Sequence, residues 1–209
     1  MEEGFQWIWT MDDDVIPQRK ALETQLQFSD VSLCIHPTRL NEDGTPYPEH
    51  LHLSDAQLNS AYFELNVCCF EGCLIHREIL EKAGLPDERF FIVMDDKEYG
   101  LRVSQFTNII YVRNARFVKQ IPLKKSSGRF WQKVTLPTWK MYFQARNLFL
   151  LSSRRYRSFT PFRITYQLCR MVVAAAVRGP QRHKALRNIM LGIWDGIRGK
   201  FGEATWNLQ

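Results

Sequence analysis

Trp7-Ile8-Trp9-Thr10-Met11-Asp12-Asp13-Asp14-Val15-Ile16-Pro17 is the stretch on which the reading of this chain turns. Phe5, Trp7, Trp9 and Met11 alternate with Gln6, Ile8 and Thr10, the period of a strand with an apolar face. Three carboxylates follow at that strand's C-terminal end, the place where ligands bind in open α/β sheets. Two oxygen donors separated by one residue suit Mg²⁺ or Mn²⁺ that is also held by phosphate oxygens. The same residues suit a solvated acidic turn capping a helix that begins near Pro17, since proline is at home in a first helical turn. An EF-hand is excluded, because the glycine at loop position 6 and the glutamate at position 12 are both missing.

Downstream, Ala21, Leu22, Leu26 and Phe28 predict a helical apolar face, and residues 30–36 predict a second strand ended by Pro37. Residues 37–59 are polar, with a turn at 41–46 and a further proline at Pro48, which predicts a flexible loop near a substrate entrance. Residues 61–70 predict a buried strand running into Glu71-Gly72-Cys73, where Gly72 permits a tight turn or close backbone approach to a ligand. A short helix over 76–83 stops at Gly84. Residues 90–94 form a hydrophobic, strand-like run into Asp95-Asp96, which opens a helix with Tyr99 and Val103 on its core face. Two short strands, 109–112 and 115–118, close the body. If both acidic clusters end strands of one sheet, they open onto one crevice, where one holds a metal and the other acts as general base.

Charge divides the chain. Residues 1–112 hold 8 of the 28 Lys and Arg but 20 of the 22 Asp and Glu. An acidic body suited to a cation is thus joined to a basic tail suited to an anionic surface. After a basic linker at 124–128, the tail predicts helices over 137–153, 161–177 and 181–199, the last two parted by Gly179-Pro180. The middle helix carries Ile164, Leu168, Met171, Val172 and Ala175, is interrupted by Arg170, and is flanked by Arg154, Arg155, Arg157, Arg163, Arg178, Arg182 and Lys184. That pattern suits a helix at an anionic membrane interface. It suits equally a tail packed against the body with its cations in water.

No run approaches the roughly 18 uncharged apolar residues of a membrane span. Met1-Glu2-Glu3 lacks the basic start of a signal peptide. The five cysteines form no even framework, so a reducing, cytoplasmic setting is expected. Cys69, Cys73 and His76, with Cys34 and His36, offer the residue types of a zinc site. Residues 68–73 fall largely in an expected buried strand and no second knuckle follows, so these thiols read as buried apolar residues. The aromatic-interleaved basic residues of 129–163 match no RNA- or DNA-binding module, and nucleic acid is not an expected partner.

The two acidic clusters, in this order and context, resemble the inverting family 2 glycosyltransferases of the GT-A fold, above all their bacterial rhamnosyl- and galactofuranosyltransferase branch. The resemblance rests on residues 9–17, Phe70-Glu71-Gly72-Cys73-Leu74-Ile75, residues 84–102, Tyr142-Phe143-Gln144-Ala145-Arg146-Asn147, and the closing Gly192-Ile193-Trp194-Asp195-Gly196-Ile197-Arg198-Gly199. It implies an α/β fold: a partial GT-A, Rossmann-like mixed sheet over residues 1–121, then a basic helical region over 122–209. The nucleotide-binding first half that such chains carry upstream of the triple aspartate is not in this sequence, so the chain is expected to be the C-terminal part of such an enzyme. The implied activity moves a sugar, with inversion, from a UDP- or dTDP-sugar to a glycan or lipid-linked acceptor in bacterial cell-surface polysaccharide synthesis. The implied location is cytoplasmic, peripheral on the inner face of the plasma membrane.

Residue by residue, the resemblance makes Asp12 and Asp14 the DXD ligands of Mg²⁺ or Mn²⁺, with Asp13 beside them near the ribose or sugar. Asp96 is then the base that deprotonates the acceptor, Asp95 and Glu98 orient it, and Glu71 and Gly72 line the acceptor side. Related enzymes often place a histidine near the metal after the last strand of the body. Here that stretch reads Phe117-Val118-Lys119-Gln120, and a protonated lysine neutralises diphosphate without ligating a metal. The competing expectation is a non-catalytic remnant, or a basic-tailed module that binds membranes or polyanions.

Overall fold

The computed structural model describes residues 4–45, 47, 53–120, 136–154, 156, 160–204 and 206–208. The expected linker at 124–128, Pro46, Pro48, Arg155 and Arg157 lie outside them. The chain forms two compact units, residues 1–85 with 96–123 and residues 86–95 with 124–209.

The first unit is built on a mixed sheet of β1 (Trp7–Trp9), β2 (Val15–Pro17), β3 (Cys34–Asn41), β4 (Tyr62–Glu64), β5 (Leu74–His76) and β6 (Ile109–Lys119). The order is β1-β5-β3-β6-β2, with β4 paired to β6 as well. β3 and β6 run parallel, and the other pairs are antiparallel. β1, β3 and β6 therefore point the same way, and their C-terminal ends meet the start of β5 at one edge of the sheet. Successive residues alternate faces. Cys34, Ile75 and Ile109 pack with Ile79 of α3 (Arg77–Ala83) and Tyr99 and Val103 of α4 (Asp95–Val103). Ile35, Leu74 and Ile110 pack with Trp7, Trp9 and, from α1 (Ala21–Leu26), Leu22. Both faces are covered, which is why these strands read as unbroken apolar runs.

Several local expectations change. Pro17 does not open a helix: Val15–Pro17 pairs with Lys119, Val118 and Phe117 of β6, and α1 begins only at Ala21, after Lys20 at φ 72. Proline is tolerated there because β2 is an edge strand, with no outer partner among the described residues. Pro37 does not end β3, since it sits at a bulge where the register jumps from Pro37↔Val112 to Thr38↔Arg116. The same bulge makes one strand, β6, read as two. The flexible loop expected over residues 37–59 instead holds regular structure at both ends, the end of β3 and, capped by Ser54, the helix α2 (Asp55–Asn59). Thr38–Asn41 belong to β3, and Asn41 N–H donates to the Thr45 carbonyl at 2.8 Å across a turn. Of residues 61–70 only Tyr62–Glu64 forms strand. The chain then folds onto α4, where a Cβ at Gly100 would lie 2.7 Å from the Cys68 nitrogen, so glycine alone allows the approach. Residues 90–94 are no strand either, and Asp95-Asp96 begins α4 rather than ending a strand.

The second unit packs α5 (Thr138–Ser153), α6 (Pro161–Ala176) and α7 (Arg182–Ile197). α5 and α7 approach closely because α7 presents glycines one turn apart. A Cβ at Gly192 would sit 2.2 Å from the Tyr142 carbonyl oxygen, and one at Gly196 2.5 Å from the Phe149 ring. Tyr142 Oη donates to buried Asp195 at 2.7 Å. On α6, Ile164, Met171 and Ala175 are buried while Phe162, Tyr166 and Val173, with Val177 just past its end, are exposed. No described helix is long and apolar enough to cross a membrane.

Candidate active site

The sheet edge where β1, β3 and β6 end gathers charge. β1 leads through Thr10 and Met11 into Asp12, Asp13 and Asp14. Thr10 N–H donates to the Cys73 carbonyl and Gly72 N–H to the Thr10 carbonyl, both at 2.9 Å, tying this turn to the segment before β5. Gly72 is held at φ +81, where an added Cβ would meet the Phe117 ring at 2.7 Å and Pro37 at 2.8 Å. Its carbonyl accepts from Trp9 Nε1 at 3.1 Å and from the buried Gln25 Nε2 at 2.9 Å. Gly72, packed against Phe117 and Pro37, thus fixes the direction of Glu71 beside it.

Carboxylate oxygens of Asp12, Asp14 and Glu71 lie within 4.8 Å of one another. Glu71 is buried, Asp14 half-buried and Asp12 exposed. Two cations enter the group. Lys119, at the end of β6, contacts Asp14 Oδ1 at 3.0 Å and also bonds Glu71 Oε1. Arg39, on β3, donates to Glu71 Oε2 at 2.6 Å and to Cys69 Sγ at 2.7 Å. Burial opposes ionisation of Glu71, but Arg39 and then Lys119 outweigh it and hold its carboxyl below the ordinary glutamate range. Lys119 is likewise held above its ordinary range against burial, chiefly by Glu71 and Asp14. Asp12 shifts the other way. Partial desolvation of its carboxyl, then the charges of Glu71, Asp14 and Asp13, push it up despite Lys119.

Three carboxylates, Asp12, Asp14 and Glu71, therefore meet two cations, and Asp12 carries the unbalanced charge. An all-oxygen donor set with negative charge to spare fits a hard divalent cation. Lys119 is the cation already inside the set, and its ammonium lies between Asp14 and Glu71.

Burial pushes the Cys69 thiol up, the Arg39 guanidinium opposes this, and the carboxylates of Asp96 and Glu71 add to it. The Asp96 carbonyl accepts from Cys68 N–H at 3.0 Å, which binds the start of α4 to the 68–72 segment. Glu98 is buried, and Arg102 grips both its oxygens at 3.0 and 2.9 Å while donating to the carbonyls of Ala83 and Leu85. Any influence of Glu98 on a substrate thus passes through the placement of α4. Asp95 is half-buried at the first position of that helix.

Sequence reasoning passed over two features. Arg39 lay in the expected loop, so its role beneath Glu71 had no signal. In the second unit, Asn147 Nδ2 donates to the carbonyls of Phe90, Ile92 and Val93 at 2.9, 3.1 and 2.8 Å. Buried Arg146 beside it donates to the carbonyls of Arg89 and Gly202. These bonds hold a segment in which Phe91, Val93 and Met94 all take positive φ, at 58, 71 and 72. Non-glycine residues pay conformational energy there, and such strain clusters at functional sites.

With this geometry in view, comparison adds one relative. Over 169 residues, 76% of this chain, the sequence is 22% identical to the dTDP-rhamnosyl transferase RfbF of Shigella flexneri. The chain is distantly similar to a glycosyltransferase. It spans about half, 53%, of that protein's length. No family model matches the chain.

Proposed function

We propose that this chain carries the metal and acceptor side of an inverting, family 2-like glycosyltransferase with a partial GT-A fold. The observation that carries the reading is the convergence of Asp12, Asp14 and Glu71 at the sheet edge, beside a segment whose Cys68 N–H bonds the Asp96 carbonyl at the start of α4. The relative's name supplies a nucleotide-sugar donor, which here becomes a UDP- or dTDP-sugar. Asp12 and Asp14 would hold Mg²⁺ or Mn²⁺, which when bound neutralises the departing diphosphate. Lys119 adds a fixed positive charge on that side. Asp13, Glu71 and Gly72 line the substrate. Asp96 takes the proton of the attacking acceptor hydroxyl, and Asp95 and Glu98 set the helix from which it acts.

The exposed stripe of Phe162, Tyr166 and Val173 on α6, with Val177 just past its end and the exposed Arg163 and Arg170 beside it, supports a second part of the proposal. This face lies on the anionic inner surface of the plasma membrane, where a glycan acceptor linked to lipid would be met. A basic-tailed membrane-binding module without catalysis would share that stripe but not the need for Asp96.

The test is sugar transfer from radiolabelled UDP- and dTDP-sugars to lipid-linked acceptors in membranes from cells expressing the gene, with and without Mn²⁺. Asp96→Asn should cut turnover by about 10²-fold or more while Mn²⁺ binding persists, as expected for loss of a general base. Asp14→Ala should abolish Mn²⁺ binding itself. Transfer undiminished in Asp96→Asn removes that residue from the mechanism. Absence of any gene-dependent transfer, with salt-sensitive vesicle binding intact, would favour the non-catalytic module.

A further inference from the structure

Behind the sheet edge lies a second cluster that the carboxylate chemistry does not use. Cys34 and His36 on β3 meet Cys68 and Cys73, which bracket the segment carrying Glu71 and Gly72. All four are buried, and their ligand atoms lie within 4.8 Å of one another. The sulfurs form a nearly equilateral triangle: Cys34 to Cys68 is 3.8 Å, and Cys34 to Cys73 and Cys68 to Cys73 are both 3.7 Å. His36 Nε2 stands 3.9 Å from Cys34 Sγ.

Those distances decide the chemistry. With zinc–sulfur bonds of about 2.3 Å, the edge of a tetrahedron between two thiolates is about 3.8 Å. The three sulfur separations match it. The sulfur-to-nitrogen edge is about 3.6 Å for a zinc–nitrogen bond near 2.05 Å, so the imidazole would close in by a few tenths of an ångström. A disulfide requires about 2.05 Å between one pair and would break the triangle, leaving a third thiol alone. An iron–sulfur cluster holds its thiolates apart by the width of the cluster and does not suit three sulfurs in mutual contact.

Tyr99, on α4, is fully buried in the same core as the three thiols, and its hydroxyl finds no hydrogen-bond partner among the described residues. His36 is meanwhile held by stacking on Tyr111, with centroids 4.5 Å apart and planes 13° from parallel. That contact leaves the ring edge, with its nitrogens, free to bond.

We propose that Cys34, Cys68, Cys73 and His36 form a closed structural site for a tetrahedral, thiophilic divalent cation, zinc. Loading it releases the protons of the three thiols and leaves one net negative charge. Cys69 and His76 take no part: Cys69 bonds Arg39, and His76 caps α3 by accepting from Glu78 N–H at 3.3 Å. The ion joins β3 to both ends of the 68–73 segment and so fixes the loop that presents Glu71. The thiols are buried as expected, although the strand through residue 70 on which that expectation rested does not form.

The test starts from the 209-residue chain purified without a histidine tag. Mass spectrometry of metals should find about one zinc per chain, and X-ray absorption should show three sulfurs and one nitrogen around it. Cobalt exchanged into the site should give thiolate charge-transfer and tetrahedral d–d bands. Cys69→Ser should keep the metal, whereas Cys73→Ser should reduce it at least tenfold. Should Cys73→Ser fail to fold, the wild-type absorption spectrum still decides. Overturning results are wild-type protein with less than a tenth of an equivalent of zinc, no cobalt bands, or a disulfide within the triangle. Retention of metal by Cys73→Ser, or its loss in Cys69→Ser, would also refute this ligand set.

Discussion

The 68–73 segment lies between two clusters that differ in kind. On one side, Asp12, Asp14 and Glu71 offer oxygens at an open edge, with one carboxylate exposed and two cations already present. On the other, Cys34, His36, Cys68 and Cys73 offer sulfur and nitrogen with no access to water. An open oxygen set exchanges its occupant and can share it with a phosphate. A closed thiolate set keeps its ion and contributes to folding. The two are mechanically linked, because the ends of one short segment belong to the closed set and its middle to the open one. The general lesson is that a mobile-ligand site on a sheet edge needs a rigid floor, and here the floor is the thiol cluster.

The largest expected effect breaks this comparison at the floor. Removing the thiol-bound ion with a mercurial and a chelator should lower the unfolding midpoint more than any substitution in the acidic cluster. Structural zinc supplies on the order of 10 kcal/mol to the smallest domains, and a larger core still leaves a share of several. Calorimetry before and after stripping measures it, and an unchanged midpoint would show that the cluster bears no load. Next comes Glu71→Ala, which removes the buried carboxylate that Arg39 and Lys119 both contact. Breaking a buried pair by removing one partner costs roughly 3–5 kcal/mol. Urea unfolding of Glu71→Ala beside Asp14→Ala sharpens the contrast, since Asp14 is more exposed and its loss should cost far less. Equal costs would mean that Glu71 is not the structural member of the acidic set.

A smaller effect lies in the helical unit. Asn147→Ala removes the donor to three carbonyls in the strained segment before Asp95. A buried acceptor left unsatisfied costs about 1–3 kcal/mol. The chain runs from Val93 directly into Asp95 and Asp96, so relaxation of these left-handed residues should also reduce turnover with little change in Mn²⁺ binding. Stability and kinetics both unaltered would show that the positive φ values need no such restraint.

Elements with strong periodicity were legible in the sequence: the tail helices appear within about two residues of their expected ends, and Tyr99 and Val103 face the core as α4's spacing requires. The misreadings share a cause. Pro17 reads as the start of a helix and Pro37 as the end of a strand, but each sits where the sheet asks for no N–H, one on an edge strand and one at a bulge. Residues 65–70 carry the composition of a strand, yet Gly100 draws them onto a helix instead. The triple aspartate was visible as a unit because its members adjoin. Arg39, Glu71 and Lys119 meet only through the parallel pairing of β3 with β6, and the thiol set only through β3 beside β5. Neither pairing leaves a mark in spacing along the chain.

The smallest effect separates two carboxylates within the open cluster. Glu71 has its folded pKa depressed, so its stabilisation is complete above the unfolded value near 4.5 and is lost as pH falls through the lower folded value. Asp12 has its folded pKa raised, so its charged form is penalised in the folded protein. That penalty is complete above the raised folded value and vanishes as pH falls below the unfolded value near 3.8. Asp12→Asn should therefore stabilise the metal-free edge at pH 7, by well under 1 kcal/mol given the solvent around it, and change nothing at pH 3. Added Mn²⁺ should reverse the order, because the ion neutralises the charge that makes Asp12 a burden and rewards its presence. Thermal melts of both proteins at the two pH values, with and without Mn²⁺, measure this. If Mn²⁺ raised the midpoint of Asp12→Asn as much as that of wild type, Asp12 would not be a ligand, and its raised pKa would reflect crowding alone.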